Sequence, residues 1–125
     1  MAKKIATEKA PAAIGPYSQA MVVGNLVFTS GQIAINPASG NIEATDVVGQ
    51  TEQVMKNLGE VLAAAGASFE SAVKTTCFLA DIADFAAFNE IYGKYFTEKP
   101  ARSCVAVAGI PKGLLCEIEI TAICK

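Results

Sequence analysis

Histidine is absent from the 125 residues. That removes the usual general base, the usual metal ligand and the usual switch near neutral pH. Four cysteines are present, Cys77, Cys104, Cys116 and Cys124, and no two of them form a CxxC pair. That spacing argues against zinc, so no metal is expected. Each lies among apolar, strand-like neighbours, and the expected state is a buried, reduced thiol. No basic run is longer than Lys3-Lys4, and 10 basic against 12 acidic side chains leave a net charge of −2. Such a balance offers little to a phosphate backbone, so nucleic acid is not expected as a partner. No apolar run approaches the ~20 residues of a membrane span, and the opening MAKKIATEKAPAAIG has no apolar core of a secretory leader. The expectation is a soluble, cytoplasmic protein with no membrane partner.

What is present reads as one globular domain over residues 1–125, with 52% hydrophobic and 18% charged residues. Residues 3–7 read as a short strand, and the prolines and glycine of EKAPAAIGPYSQ keep the next segment a loop. Two apolar runs split by Gly24-Asn25 predict a hairpin with a type I′ or II′ turn. The second run ends in Ser30-Gly31-Gln32, where Gly31 either admits a close ligand approach or serves a bend. Asp46 can cap a helix over 47–65, in which Val47, Gln50, Val54, Leu58, Val61 and Leu62 share a face and Gly66 supplies the stop. A strand follows in SAVKTTCFLA, with Val73, Thr75, Cys77 and Leu79 on one side. DIADFAAFNEIYGKYF reads as a second helix, with Phe85, Phe88, Tyr92 and Tyr95 or Phe96 on its apolar side. The order ββ(β)αβαββ predicts a mixed sheet with both helices packed on one face. The strands carry apolar residues on both parities, more than one helical layer can bury. A homo-oligomer formed through the other face is therefore expected.

The stretch PARSCVAVAGIPKGLLCEIEI, residues 100–120, places one arginine and two acids in an apolar setting. Strand alternation puts Arg102, Cys104 and Ala106 on one face of their strand, and puts Glu117, Glu119 and Thr121 together on one face of theirs. Whether Arg102 meets the acids depends on whether GIPKG closes a hairpin or crosses another strand. An arginine offers a planar fork for a substrate carboxylate, and a neighbouring glutamate can move protons if its surroundings tune its pKa. Without histidine, Glu117 and Glu119 are the acid–base candidates. The plainer alternative is a surface Arg–Glu pair, worth at most ~1 kcal/mol.

The chain resembles the Rid family (YjgF/RidA), close to its 2-iminobutanoate/2-iminopropanoate deaminases. The similarity spans essentially the whole length and rests on APAAIGPYSQA at 10–20, FTSGQI at 28–33, VKTTCFLADIADFAAFNEIY at 73–92, and PARSCVAVAGIPKG with EIEI at 100–120. The resemblance implies a chorismate-mutase-like α+β fold and a homotrimer with sites between subunits. It implies hydrolysis of the enamines and imines released by pyridoxal-phosphate-dependent serine and threonine dehydratases, giving 2-oxo acids and ammonia without a cofactor. Arg102 would hold the substrate carboxylate, and Glu117 would activate water or relay protons. The backbone of Cys104 would help to bind that water, while Tyr17, Ser30, Gly31 and Asn89 would line the pocket. YFTEKPARS is shorter before its Pro-Ala-Arg than in many RidA-like chains and puts Lys99 where an aromatic often stands, which bears on the pocket rim. A non-catalytic sensor of 2-oxo acids or related small carboxylates is the alternative reading. It would keep Arg102 without requiring Glu117.

Overall fold

The computed structural model describes all residues, Met1–Lys125. Its elements run β1 (Lys3–Ile5), β2 (Ala20–Val23), β3 (Leu26–Thr29), α1 (Val47–Ala64), β4 (Ala72–Leu79), α2 (Phe85–Tyr95), β5 (Ala101–Ala106) and β6 (Cys116–Ile123). The six strands form one sheet in the order β1-β2-β3-β6-β4-β5, antiparallel except for the β4–β5 pair. This α+β arrangement carries both helices on one face, and no helix is long and apolar enough to cross a membrane.

Local chemistry accounts for most boundaries. The Asp46 side chain accepts from the Gly49 N–H at 2.8 Å and caps α1. At the other end Gly66 adopts φ +78°, while its N–H bonds the Ala63 carbonyl and that of Ala67 bonds Leu62. This pair of bonds is the Schellman pattern that a left-handed glycine permits. The β2–β3 turn has positive φ at Gly24 and not at Asn25, the II′ form of the two expected. Val47, Gln50, Val54, Leu58, Val61 and Leu62 are all buried, as their spacing requires. The five apolar ones meet Cys77, Leu79, Cys116, Ile118, Ile120 and Ala122 from the sheet in a core cluster of 24 residues.

Several expectations change. The first strand ends at Ile5 rather than at residue 7. Residues 82–84 form a separate 3-10 turn before α2, with Asp81 accepting from the Ala83 N–H. Val73 is exposed, because a bulge between Ala72 and Lys74 breaks the alternation and makes Ala72 the buried residue. Phe85 is not a core residue, being 36% exposed. Cys77 and Cys116 are buried thiols, whereas Cys104 and Cys124 are only half-buried. Burial pushes the Cys77 thiol up to about 12 and that of Cys116 up to about 11.

The GIPKG link does not close a hairpin. β6 passes beyond β5 and inserts between β3 and β4, so β5 is left as an outer strand. The sheet face away from the helices is open and partly apolar. Phe28 and Val105 are each 44% exposed there, and Glu117 lies opposite Phe78 in the ladder.

Candidate active site

Arg102 projects from β5 on the helix-covered side, paired in register with Thr75. Its Nη1 donates to Asn89 Oδ1 at 2.6 Å, and its guanidinium carbon lies 4.6 Å from the Tyr92 ring centroid and 5.5 Å from that of Phe85. Residues 85, 89 and 92 fall on one stripe of α2, four and three positions apart. Tyr92 is itself fixed by a 2.7 Å hydrogen bond shared with the Thr75 hydroxyl. The guanidinium is thus gripped by ring faces and one amide oxygen, with other donors of its fork left to a ligand. A cavity of about 360 Å³ lies against it, lined by Asn89, Tyr92, Gly93, Phe96, Thr97, Lys99, Pro100 and Arg102.

Glu117 lies elsewhere. It occupies the open face of β6 and lines a second cavity of about 340 Å³ with Ile14, Tyr17, Ser30, Gly31, Ile33 and Pro111. Gly31 is there because of the acid: a methyl group on it would come 2.8 Å from the Glu117 carboxyl carbon and 2.9 Å from its Cγ. What Gly31 admits is the Glu117 side chain, a group that neither the ligand-approach nor the bend reading named. The Gln32 and Ile118 backbones exchange hydrogen bonds of 2.9 and 3.2 Å, which holds the Ser30–Gln32 segment over β6. The Ser30 hydroxyl donates to the Ser18 carbonyl at 2.6 Å and ties the same segment to the Tyr17 loop. Burial raises the Glu117 carboxyl above the usual range, and the neighbouring Glu119 charge adds to the shift. Glu119 pairs with Thr76 on the same face and does not line the cavity.

The sequence candidates therefore form two groups. Tyr17, Ser30, Gly31 and Glu117 come together, as do Arg102 and Asn89, and the two cavities share no residue. Cys104 lies beside Arg102's group, its side chain on the helix face opposite Cys77 in the ladder. Because β5 is an outer strand, alternate backbone groups along it face away from β4. Arg102 and Glu117 are two strands and three residues apart, about 14 Å between backbones, with side chains on opposite faces. No small acid touches both within one chain.

Several contributors carry no clear signal in the sequence. Gln19 is buried, accepts from the Thr7 N–H at 2.6 Å, and donates to the carbonyls of Thr7 and Pro11 at 3.1 and 2.8 Å. It braces the segment that presents Tyr17. The grip of Phe85 and Tyr92 on Arg102 was open to discovery through their spacing around Asn89. A larger cavity of about 570 Å³ lies under the N-terminal segment, touches the Glu117 cavity only through Tyr17, and is lined largely by alanines and backbone-bonded polar residues.

Known proteins share this framework. The family model described as Endoribonuclease L-PSP matches residues 7–124. AldR of Lactococcus lactis, named as a candidate regulator, is 53% identical over 121 residues, 96% of each chain. The human 2-iminobutanoate/2-iminopropanoate deaminase is 51% identical over 120 residues, covering 95% of this chain and 88% of that one. The crystal structure of E. coli TdcF with bound serine superposes with a TM-score of 0.92 at 44% identity, over 98% of this chain and 99% of that one.

Proposed function

The chain belongs to the Rid (YjgF/L-PSP) family, and on that premise we propose that it hydrolyses 2-enamino and 2-imino acids to 2-oxo acids and ammonia. The substrates are 2-aminoacrylate with 2-iminopropanoate, and 2-aminocrotonate with 2-iminobutanoate. The observation that carries the reading is the Glu117 carboxyl, raised in pKa and seated over Gly31 in a cavity with Tyr17 and Ser30.

In this scheme Arg102 holds the substrate carboxylate through its free donors. Burial favours the protonated form of Glu117, so its carboxylate is a stronger base than an exposed glutamate and can take and return a proton. It takes a proton from water as the water adds to C2 and passes it to the imine nitrogen, giving a carbinolamine. It then takes the hydroxyl proton and gives it to the nitrogen as the C–N bond breaks, so the carbonyl forms and ammonia leaves. The imine carbon is already electrophilic, so orientation and one proton relay are enough chemistry. The supply is a dehydratase reaction at serine or threonine that releases an enamine, the class of step performed by pyridoxal-phosphate enzymes.

The separation of Arg102 from Glu117 favours a site completed by a second copy of the chain, and we place it in a homotrimer. Arg102 at the outer strand of one copy then faces the Glu117 cavity of its neighbour. Charge favours the match, because one half-site is cationic and the other carries Glu117 and Glu119. An RNA-cleaving role, which the family description names, fits less well: paired carboxylates on the open face repel phosphate, and the chain has no histidine.

The similarity to AldR supports one further reading, a sensor that binds 2-oxo acids without turnover. One experiment decides between them: 2-oxobutanoate release in a threonine dehydratase reaction with wild type, Arg102→Ala and Glu117→Ala. The deaminase requires faster release with wild type alone. A wild type that binds 2-oxobutanoate but does not speed its release is the sensor.

A further inference from the structure

The cavity at Arg102 has a feature that monocarboxylic imines do not use. Its eight lining residues include two cations, Arg102 and Lys99, and no acid. Arg102 has a task in the scheme above; Lys99 has none. Lys99 is exposed at the rim, three residues before Arg102, and its N–H bonds the Phe96 carbonyl at 3.2 Å where α2 turns into β5. It holds φ +54°, one of only two non-glycine residues with positive φ. Glycine or asparagine would meet that backbone with less strain, so a lysine held there is a reason to look for a task for its side chain. A lysine supplies a mobile point charge on a long stem, suited to an anion whose distance from the anchoring guanidinium varies.

We propose that Lys99 selects for a second carboxylate, so that this site takes dicarboxylic 2-imino acids such as 2-iminosuccinate and 2-iminoglutarate. The inference rests on the deaminase reading. The carboxylate next to the reacting carbon sits on Arg102, and the distal one reaches Lys99 across the same cavity. Water adds to the C=N bond, the carbinolamine loses ammonia, and 2-oxoglutarate or oxaloacetate is left, with no change of oxidation state. The reaction that supplies such a substrate is oxidation of an acidic amino acid at its α-carbon.

The test generates 2-iminoglutarate and 2-iminobutanoate in situ with amino acid oxidases at matched rates, and semicarbazide traps whatever imine remains. Lys99→Asn removes the charge while suiting the left-handed backbone, and Lys99→Arg restores the charge. The expected result is a fall of about fivefold in kcat/KM for 2-iminoglutarate with Lys99→Asn, the upper range for a partly exposed ion pair. Turnover of 2-iminobutanoate stays within about twofold, and Lys99→Arg recovers the difference. If wild type hydrolyses 2-iminobutanoate but not 2-iminoglutarate, or if Lys99→Asn leaves their ratio unchanged, the inference is overturned and the deaminase stands. If wild type hydrolyses neither imine, the deaminase reading fails, and calorimetric binding of 2-oxoglutarate and 2-oxobutanoate decides the role of Lys99. Selective weakening of 2-oxoglutarate by Lys99→Asn keeps that role, and equal effects remove it.

Discussion

If the site is shared between copies, two inactive variants should make an active mixture. Arg102→Ala leaves the Glu117 cavity intact, and Glu117→Ala leaves the Arg102 half-site intact, because the two cavities have no residue in common. The backbones of the two residues stand about 14 Å apart with side chains diverging, whereas a four-carbon acid is about 5 Å long. One chain therefore cannot supply both groups to one substrate. Alone, Arg102→Ala should lose about 10- to 150-fold in kcat/KM, the range for hydrogen bonds to a charged group. Glu117→Ala should lose about 10²- to 10⁴-fold, the range for general acid–base catalysis. In assemblies formed at random from equal amounts, about one site in four joins an intact Arg102 to an intact neighbouring Glu117. That fraction holds for any ring in which each site takes one residue from each of two neighbours. The assay is 2-oxobutanoate release by differently tagged variants, co-expressed and purified through both tags. Purification through both tags removes the unmixed assemblies, and each mixed trimer keeps one intact site in three, so activity near a third of wild type places the site between copies. Activity at the mean of the two separate variants means that no mixed site forms, and the shared-site scheme is wrong.

Two other outcomes follow from the geometry at Glu117. Gly31→Ala should fold yet lose at least tenfold in kcat/KM, since the added methyl displaces the carboxylate it would approach; melting temperature and 2-oxobutanoate release read the two effects separately. In an Arg102→Ala background, where no guanidinium offsets the burial, Glu117→Gln should be more thermostable than its Glu117 parent at pH 7 and no different near pH 4. Its folded-state pKa is raised by burial, so its stabilising contribution is fully present below the unfolded value of about 4.5 and is lost as pH rises through the folded one. A melting-temperature difference that grows on acidification contradicts the buried-carboxyl assignment.

Which parts of this were legible in the sequence follows from how local their causes are. Helix α1 was plain because its cap, its 3.6-residue period and its stop all lie within it, at Asp46, along Val47 to Leu62, and at Gly66. Strand faces were legible in β5 and β6, since alternation needs no partner. Their pairing was not: which strand β6 lies beside is set by packing against α1, and only that choice decides where Glu117 lies relative to Arg102. Val73 misled because a bulge adds one residue and inverts the parity behind it. Gln19 gave no signal, because its partners are backbone groups 8 to 12 residues away and nothing local marks it as buried. The left-handed backbone at Lys99 was likewise hidden, since the residue types that favour such a conformation are absent there.

The open sheet face explains why an acid and its arginine are kept apart in one chain. At β6 the side under the helices is filled by the core residues Cys116, Ile118, Ile120 and Ala122, so a reactive carboxyl on that strand has a place only on the uncovered side, which also carries Phe28, Phe78 and Val105. In a single copy burial already raises the pKa of Glu117. In the proposed shared site, seating a second copy would remove more water and raise it further, while the incoming Arg102 would pull the other way. Substrate would alter that balance there, because its carboxylate would pair with the guanidinium and cancel a charge that favours ionised Glu117. Binding would therefore make Glu117 a stronger base at the moment a water must lose its proton.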